Sequence, residues 1–136
     1  CQQYGLVSKE HNGDYLTSED IRRRVDENLD CINIAPEFGV IQTRLIMKQL
    51  NEMAKAKAFK VCKDSGKYKK WMLDPVSHEP IAESHIEILS LHDSLIEVSG
   101  HYNFTKEPFV SQIPHVCETL KESLFHRFEQ IIREWK

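Results

Sequence analysis

The chain has little glycine and little proline, five of each in 136 residues, and it contains no low-complexity tract and no internal repeat. That scarcity excludes collagen-like and linker-like chains. It also has no apolar run approaching the roughly 20 residues that a helical bilayer span needs. Positive charge is not in excess, because 18 Lys and Arg stand against 21 Asp and Glu, for a net charge of −3. General nucleic-acid binding is therefore disfavoured, since counterion release requires a concentrated basic face. The motifs of common catalysis are missing too: there is no Gly-rich phosphate loop, no G-x-S-x-G elbow and no H-E-x-x-H.

What is present is the composition of a globular chain, 40% hydrophobic and 29% charged, with length for one sizeable core. Four cysteines stand at positions 1, 31, 62 and 117 without any C-x-x-C spacing, which argues against a zinc knuckle or a redox pair. Cys31, Cys62 and Cys117 lie beside apolar residues and read as small buried thiols. Asn103, Phe104 and Thr105 form a glycosylation sequon by letter, with no signal peptide preceding it.

Residues 1–16 show no periodic apolar pattern and carry Gly5 and the Asn12, Gly13, Asp14 turn signal, so they read as an arm that is mobile or lies on a neighbour. Residues 17–136 then read as a single α+β domain. Thr17 with Asp20 marks a helix start, and Ile21, Val25 and Leu29 fall on one face. A long core helix is expected from Pro36 to about Asp64, stopped by Ser65 and Gly66. Lys67 to Leu73 alternates and predicts a strand with Tyr68 inward. A short helix follows from about Glu79 to Leu91, with Ile81, His85, Ile88 and Leu89 on its inner face. Residues 94–104, divided by Ser99 and Gly100, predict a β-hairpin. The last helix, from Pro114 to Trp135, places Val116, Leu120, Leu124, Phe128, Ile131, Ile132 and Trp135 inside and Arg127 outside. The expected architecture is thus three main helices with a small antiparallel sheet.

The stretch richest in chemistry runs from Asp74 to Asp93, where His78, Glu79, Glu83, His85 and His92 are the candidate metal or acid–base residues. The three histidines are seven residues apart, two helical turns or about 10 Å along an axis, so one ion does not join all three on one helix. The expectation is no catalytic residue, no metal and no cofactor. Lys55, Lys57, Lys60 and Lys63 form the densest basic stretch and are the candidates for weak phosphate contacts. Tyr4, Leu6, Trp71, Ile131, Ile132 and Trp135 are the candidate interface residues, from the arm, the expected strand and the apolar end of the last helix.

Over residues 40–89 the order of parts resembles the minor head, or head morphogenesis, proteins of tailed phages, the family typified by the Mu phage minor head protein. The parts are Arg44-Leu-Ile, the segment Asn51 to Ala58, the Ser65-Gly66 turn, the basic Lys67 to Trp71 segment with Asp74-Pro75, and Ser77-His78-Glu79. The chain departs from that family after Trp71, where paired cysteines are common and this sequence has Glu79 to His85. The resemblance implies a non-enzymatic structural protein of a virion, assembled in the host cytoplasm through contacts with other head proteins or with copies of itself. The reading from a different class is a cytoplasmic interaction module that docks a partner through its C-terminal helix. A small metal-dependent hydrolase or nuclease built on the His/Glu stretch is the third.

Overall fold

The computed structural model describes residues 4–135. Their elements are β1 (Lys9–Glu10), α1 (Ser18–Asp26), β2 (Cys31–Ile32), α2 (Pro36–Met47), α3 (Glu52–Ser65), α4 (Glu83–Ile88), α5 (His92–Ser99) and α6 (Phe109–Trp135). Two 3-10 turns, Lys67–Lys70 and Gly100–Asn103, join them. The fold is helix-rich, as expected, but its helices number six among the described residues and its strands pair in parallel. Contacts gather the chain into two compact units, residues 4–38 with 121–135 and residues 39–120, where one domain behind an arm was expected. Cys1, Gln2 and Gln3, the first three arm positions, lie outside the described residues.

In the first unit, β1 pairs with β2 in the register Lys9 to Cys31 and Glu10 to Ile32. Residues 8–16 of the expected arm are held to residues 28–37. Gly13 N–H donates to the Asn33 carbonyl at 2.9 Å, and Asp14 Oδ1 accepts from Ala35 and Glu37 N–H at 3.0 and 2.8 Å. Gly13 is required there, because a Cβ would fall 2.0 Å from Ile32 Cδ1. Thr17 opens α1 with a full capping box, its hydroxyl accepting from Asp20 N–H and its own N–H donating to the Asp20 carboxylate. Arg127 is expected outside, yet its guanidinium lies in the unit's interior, 2.6 Å from Glu37 Oε1 and 2.8 Å from the Leu16 carbonyl. The apolar period of α6 fixes a face but says nothing about a partner carboxylate brought in from α2.

The second unit holds the main core: Ile46, Leu50, Ala58, Cys62, Tyr68, Met72, Ile86, Leu95, Ile96, Phe109 and Val116. The expected single helix over 36–64 is two. Asn51 caps α3, its Oδ1 accepting from Ala54 N–H at 2.9 Å, and this cap chemistry outweighs the continuous apolar stripe. Gly66 ends α3 in the left-handed region at φ 65°.

The expected strand at 67–73 is a 3-10 turn with Tyr68 and Met72 buried. Their spacing of four suits one helical turn as well as it suits alternation, and Met72 N–H donates to the Tyr68 carbonyl at 2.9 Å. The expected hairpin at 94–104 is α5 and a 3-10 turn, with Leu95, Ile96 and Ser99 buried together. Gly100 is a close-approach position here: a Cβ would lie 2.5 Å from Thr43 Cγ2. The antiparallel bridge that does form pairs Leu73 with Pro80 around the 74–79 turn. Of the expected 79–91 helix, Glu83–Ile88 is helical and Ile86, not His85 or Ile88, is the buried residue. Helix α6 begins at Phe109, ahead of Pro114, which sits inside it. Cys62 is buried, Cys31 half-buried and Cys117 exposed, all three as free thiols, so the expectation of a buried thiol fails for Cys117. Asn103 of the sequon is buried.

Candidate functional site

The candidate metal or acid–base residues come only partly together. Lys63, on the last turn of α3, reaches Glu83 at 3.5 Å and Glu87 at 3.3 Å, both on α4. The other oxygen of Glu87 lies 2.8 Å from His92 Nε2, at the start of α5. The His92 ring packs on Phe59, with centroids 4.1 Å apart and planes 34° from parallel. Glu83, Lys63, Glu87 and His92 thus form one chain of alternating acidic and basic side chains along three helices.

The remaining candidates stand apart. His78 occupies a left-handed position at φ 58° in the 74–79 turn, which Asp74 organises by accepting from the Val76 and Ser77 N–H groups. Glu79 and His85 are exposed. Among the described residues no three His, Cys, Asp or Glu side chains are placed to hold one metal ion.

Beside the His92 ring a shallow groove of about 310 Å³ runs between α3 and α5, lined by Glu52, Lys55, Ala56, Phe59, His92, Asp93 and Ile96. Two local signals build it: Asn51 starts α3 just before Glu52, and His92 starts α5. The His92 hydrogen bond, reinforced by Lys63, holds the Glu87 carboxyl below its ordinary range. The Glu87 hydrogen bond in turn raises the Lys63 ammonium. Burial raises the Tyr68 phenol, which sits in the core under this cluster with its hydroxyl unpartnered. The partner of the imidazole is a carboxylate and not a hydroxyl or thiol.

The basic stretch is largely neutralised. Lys55 pairs with Glu52 at 3.8 Å, Lys60 with Asp64 at 3.0 Å, and Lys63 with the two glutamates, while Lys57 is exposed. Of the candidate interface residues, Tyr4 and Leu6 are exposed, Trp71 and Ile132 are 39% and 52% exposed, and Trp135 is half-buried. Ile131 is a core residue instead, because it faces inward one position before Ile132.

Sequence reasoning overlooked Glu87, whose spacing of four from Glu83 was the available signal. It also overlooked Phe125, 67% exposed on α6 and in helical register with Phe128 (42%) and Ile132. No family model matches the chain, and no curated protein or solved structure matches it either.

Proposed function

We propose that this chain is a non-catalytic assembly protein that works through contacts with other proteins. The observation that carries this reading is apolar surface in several separate places. Phe125, Phe128 and Ile132 make a stripe on α6, Ile88 and Leu89 are exposed at the end of α4, and Trp71, Leu73 and Val76 are exposed around the 74–79 turn. Scattered single exposed apolar residues are ordinary, but an aromatic pair at i, i+3 continued by an aliphatic at i+7 is a partly exposed apolar stripe, with the Phe128 ring also packed on Phe38 at 4.8 Å between centroids. The separation of His78, His85 and His92 weighs the same way.

The most specific form of the proposal is a minor head or head-completion component of a tailed-phage particle, located in the virion and contacting other head proteins or copies of itself. Its support is the order of parts over residues 40–89. The α6 stripe also favours a second reading, a cytoplasmic module that docks one partner through its C-terminal helix.

Light scattering across a concentration series tests the proposal. Self-association or a ring-sized species that reverts to monomer in Phe125→Glu and Ile132→Glu is the expected result. A monomer at every concentration that binds stoichiometric metal would overturn it in favour of an enzyme, and a metal-free monomer would leave the docking module.

A further inference from the structure

Trp71 and Tyr102 are brought together from distant parts of the second unit, the indole N–H donating to the Tyr102 hydroxyl at 3.3 Å. Both residues are partly exposed, at 39% and 38%. Tyr102 packs on His101, with centroids 4.0 Å apart and planes 38° from parallel. The position of this ring pair is built into the fold. Gly39 of α2 leaves room for the His101 side chain, since a Cβ there would lie 2.7 Å from His101 Cβ, and Gly100 admits Thr43 in the same way. On the other side, the 3-10 turn that delivers Trp71 is anchored by fully buried Tyr68.

That turn carries Lys67, Lys69 and Lys70, all exposed, directly before Trp71. Unlike Lys55, Lys60 and Lys63, none of the three has a carboxylate within ion-pairing distance among the described residues. Three unneutralised ammonium groups within four residues, adjoining two partly exposed aromatic residues, make a surface complementary to a flexible polyanion that carries stackable rings. The chain's overall negative charge does not oppose this, because phosphate contact depends on the charge within about a Debye length, roughly 10 Å at 0.1 M salt.

We infer that the Trp71–Tyr102 pair and Lys67, Lys69 and Lys70 form a binding surface for single-stranded nucleic acid, bases against the rings and phosphates against the lysines. Duplex is a poorer ligand, because its bases are already stacked and are not available to the rings.

The test uses the full chain carrying Trp135→Phe, so that Trp71 is the only tryptophan, titrated with a 20-nucleotide oligothymidylate at low salt. Quenching of Trp71 is expected, with weaker binding of a 20-base-pair duplex. The slope of log affinity against log salt should be about −2 if three phosphates are contacted. Trp71→Ala and Tyr102→Ala, followed with a labelled oligonucleotide, should each weaken binding about tenfold or more. Lys67→Gln, Lys69→Gln and Lys70→Gln combined should flatten the salt slope, and as exposed positions they keep the fold, as a thermal melt would verify. Absence of binding at low salt overturns the inference. So does binding that Trp71→Ala and Tyr102→Ala leave unchanged and heparin matches, which would mean a charge-only surface. Preference for an acidic peptide over the oligonucleotide would overturn it in favour of protein docking.

Discussion

The two units are held by different physics. Residues 39–120 enclose a core whose members include Tyr68, Leu95, Ile96 and Phe109. Residues 4–38 with 121–135 bury few large apolar side chains, Ile21 and Ile131 among them, and are tied instead by polar contacts. Arg127 spans Glu37 and the Leu16 carbonyl, Arg24 grips Glu10 with Nη2 to Oε1 at 2.8 Å, and Asp30 accepts from the Ser8 N–H and hydroxyl. With less apolar surface buried, directional bonds carry a larger share of what holds the smaller unit. Directional bonds contribute only about 1 kcal/mol each net, but losing one partner of a buried set costs more than that.

The comparison breaks most visibly in the apolar unit. Phe109→Ala should destabilise by about 3–5 kcal/mol through the cavity left under a fully buried ring, read as a shift in the denaturant midpoint. A fall below about 1 kcal/mol would mean the core closes over the gap.

In the polar unit, Arg127→Met should cost about 2–3 kcal/mol. That is below the value for a fully dry ion pair, because some of the guanidinium still meets water, but it leaves the nearly buried Glu37 carboxylate without its main partner. Adding Glu37→Leu should recover part of the loss, and a further loss instead would show that the Tyr15 N–H depends on Glu37 more than Arg127 does.

Caps should act alike in both units. Thr17→Ala and Asn51→Ala each remove a side-chain acceptor at a helix start and should each cost about 1 kcal/mol by thermal melt. A markedly larger effect at Thr17 would show that its capping box also secures the lead-in from Asp14.

Acid sharpens the comparison last. The Thr17 hydroxyl and N–H hold the Asp20 carboxyl below its ordinary 3.8, the Ser8 hydroxyl and N–H do so for Asp30, and the Arg24 hydrogen bond holds Glu10 below 4.5. A carboxyl lowered by folding contributes stability that is complete above its unfolded value and is lost as pH falls through the folded one. Between about pH 5 and pH 2, protection of the Cys31 and Asn33 amides, taken relative to the intrinsic exchange rate at each pH, should therefore fall before that of Leu95 and Ile96 does. In the second unit the lowered carboxyls are Asp74, through the Ser77 and Val76 N–H groups, and Glu87, through His92. They lie on a turn and at the surface, so their protonation should leave the core amides protected.

Legibility in the sequence followed the range of the interaction. The α1 start at Thr17, the α3 stop at Gly66 and the long apolar period of α6 are written in residues within one or two turns of each other, and each was readable. Tyr68 was readable as inward-facing, although its segment is a turn, because a spacing of four satisfies both periods. The hairpin expected at 94–104 failed because Ser99 and Gly100 look like turn residues. Here Ser99 donates back to the Leu95 carbonyl at 2.6 Å within a helix, and Gly100 admits Thr43. Of the candidate site, Lys63, Glu83 and His92 were named in two separate lists, one for phosphate and one for metal. Only the packing of α3, α4 and α5 made them one ladder joined by Glu87.

By itself the sequence determined that the chain is helix-rich, where α1 and α2 start and α3 stops, and that no common catalytic motif is present, because capping and periodicity act over a few residues. The tertiary structure alone decided that residues 9–10 pair with 31–32, that Arg127 turns inward to Glu37, and that Trp71 meets Tyr102. Those choices join residues 22, 90 and 31 positions apart, and at such separations a buried charge or a ring finds its partner through the fold, not through neighbouring residues.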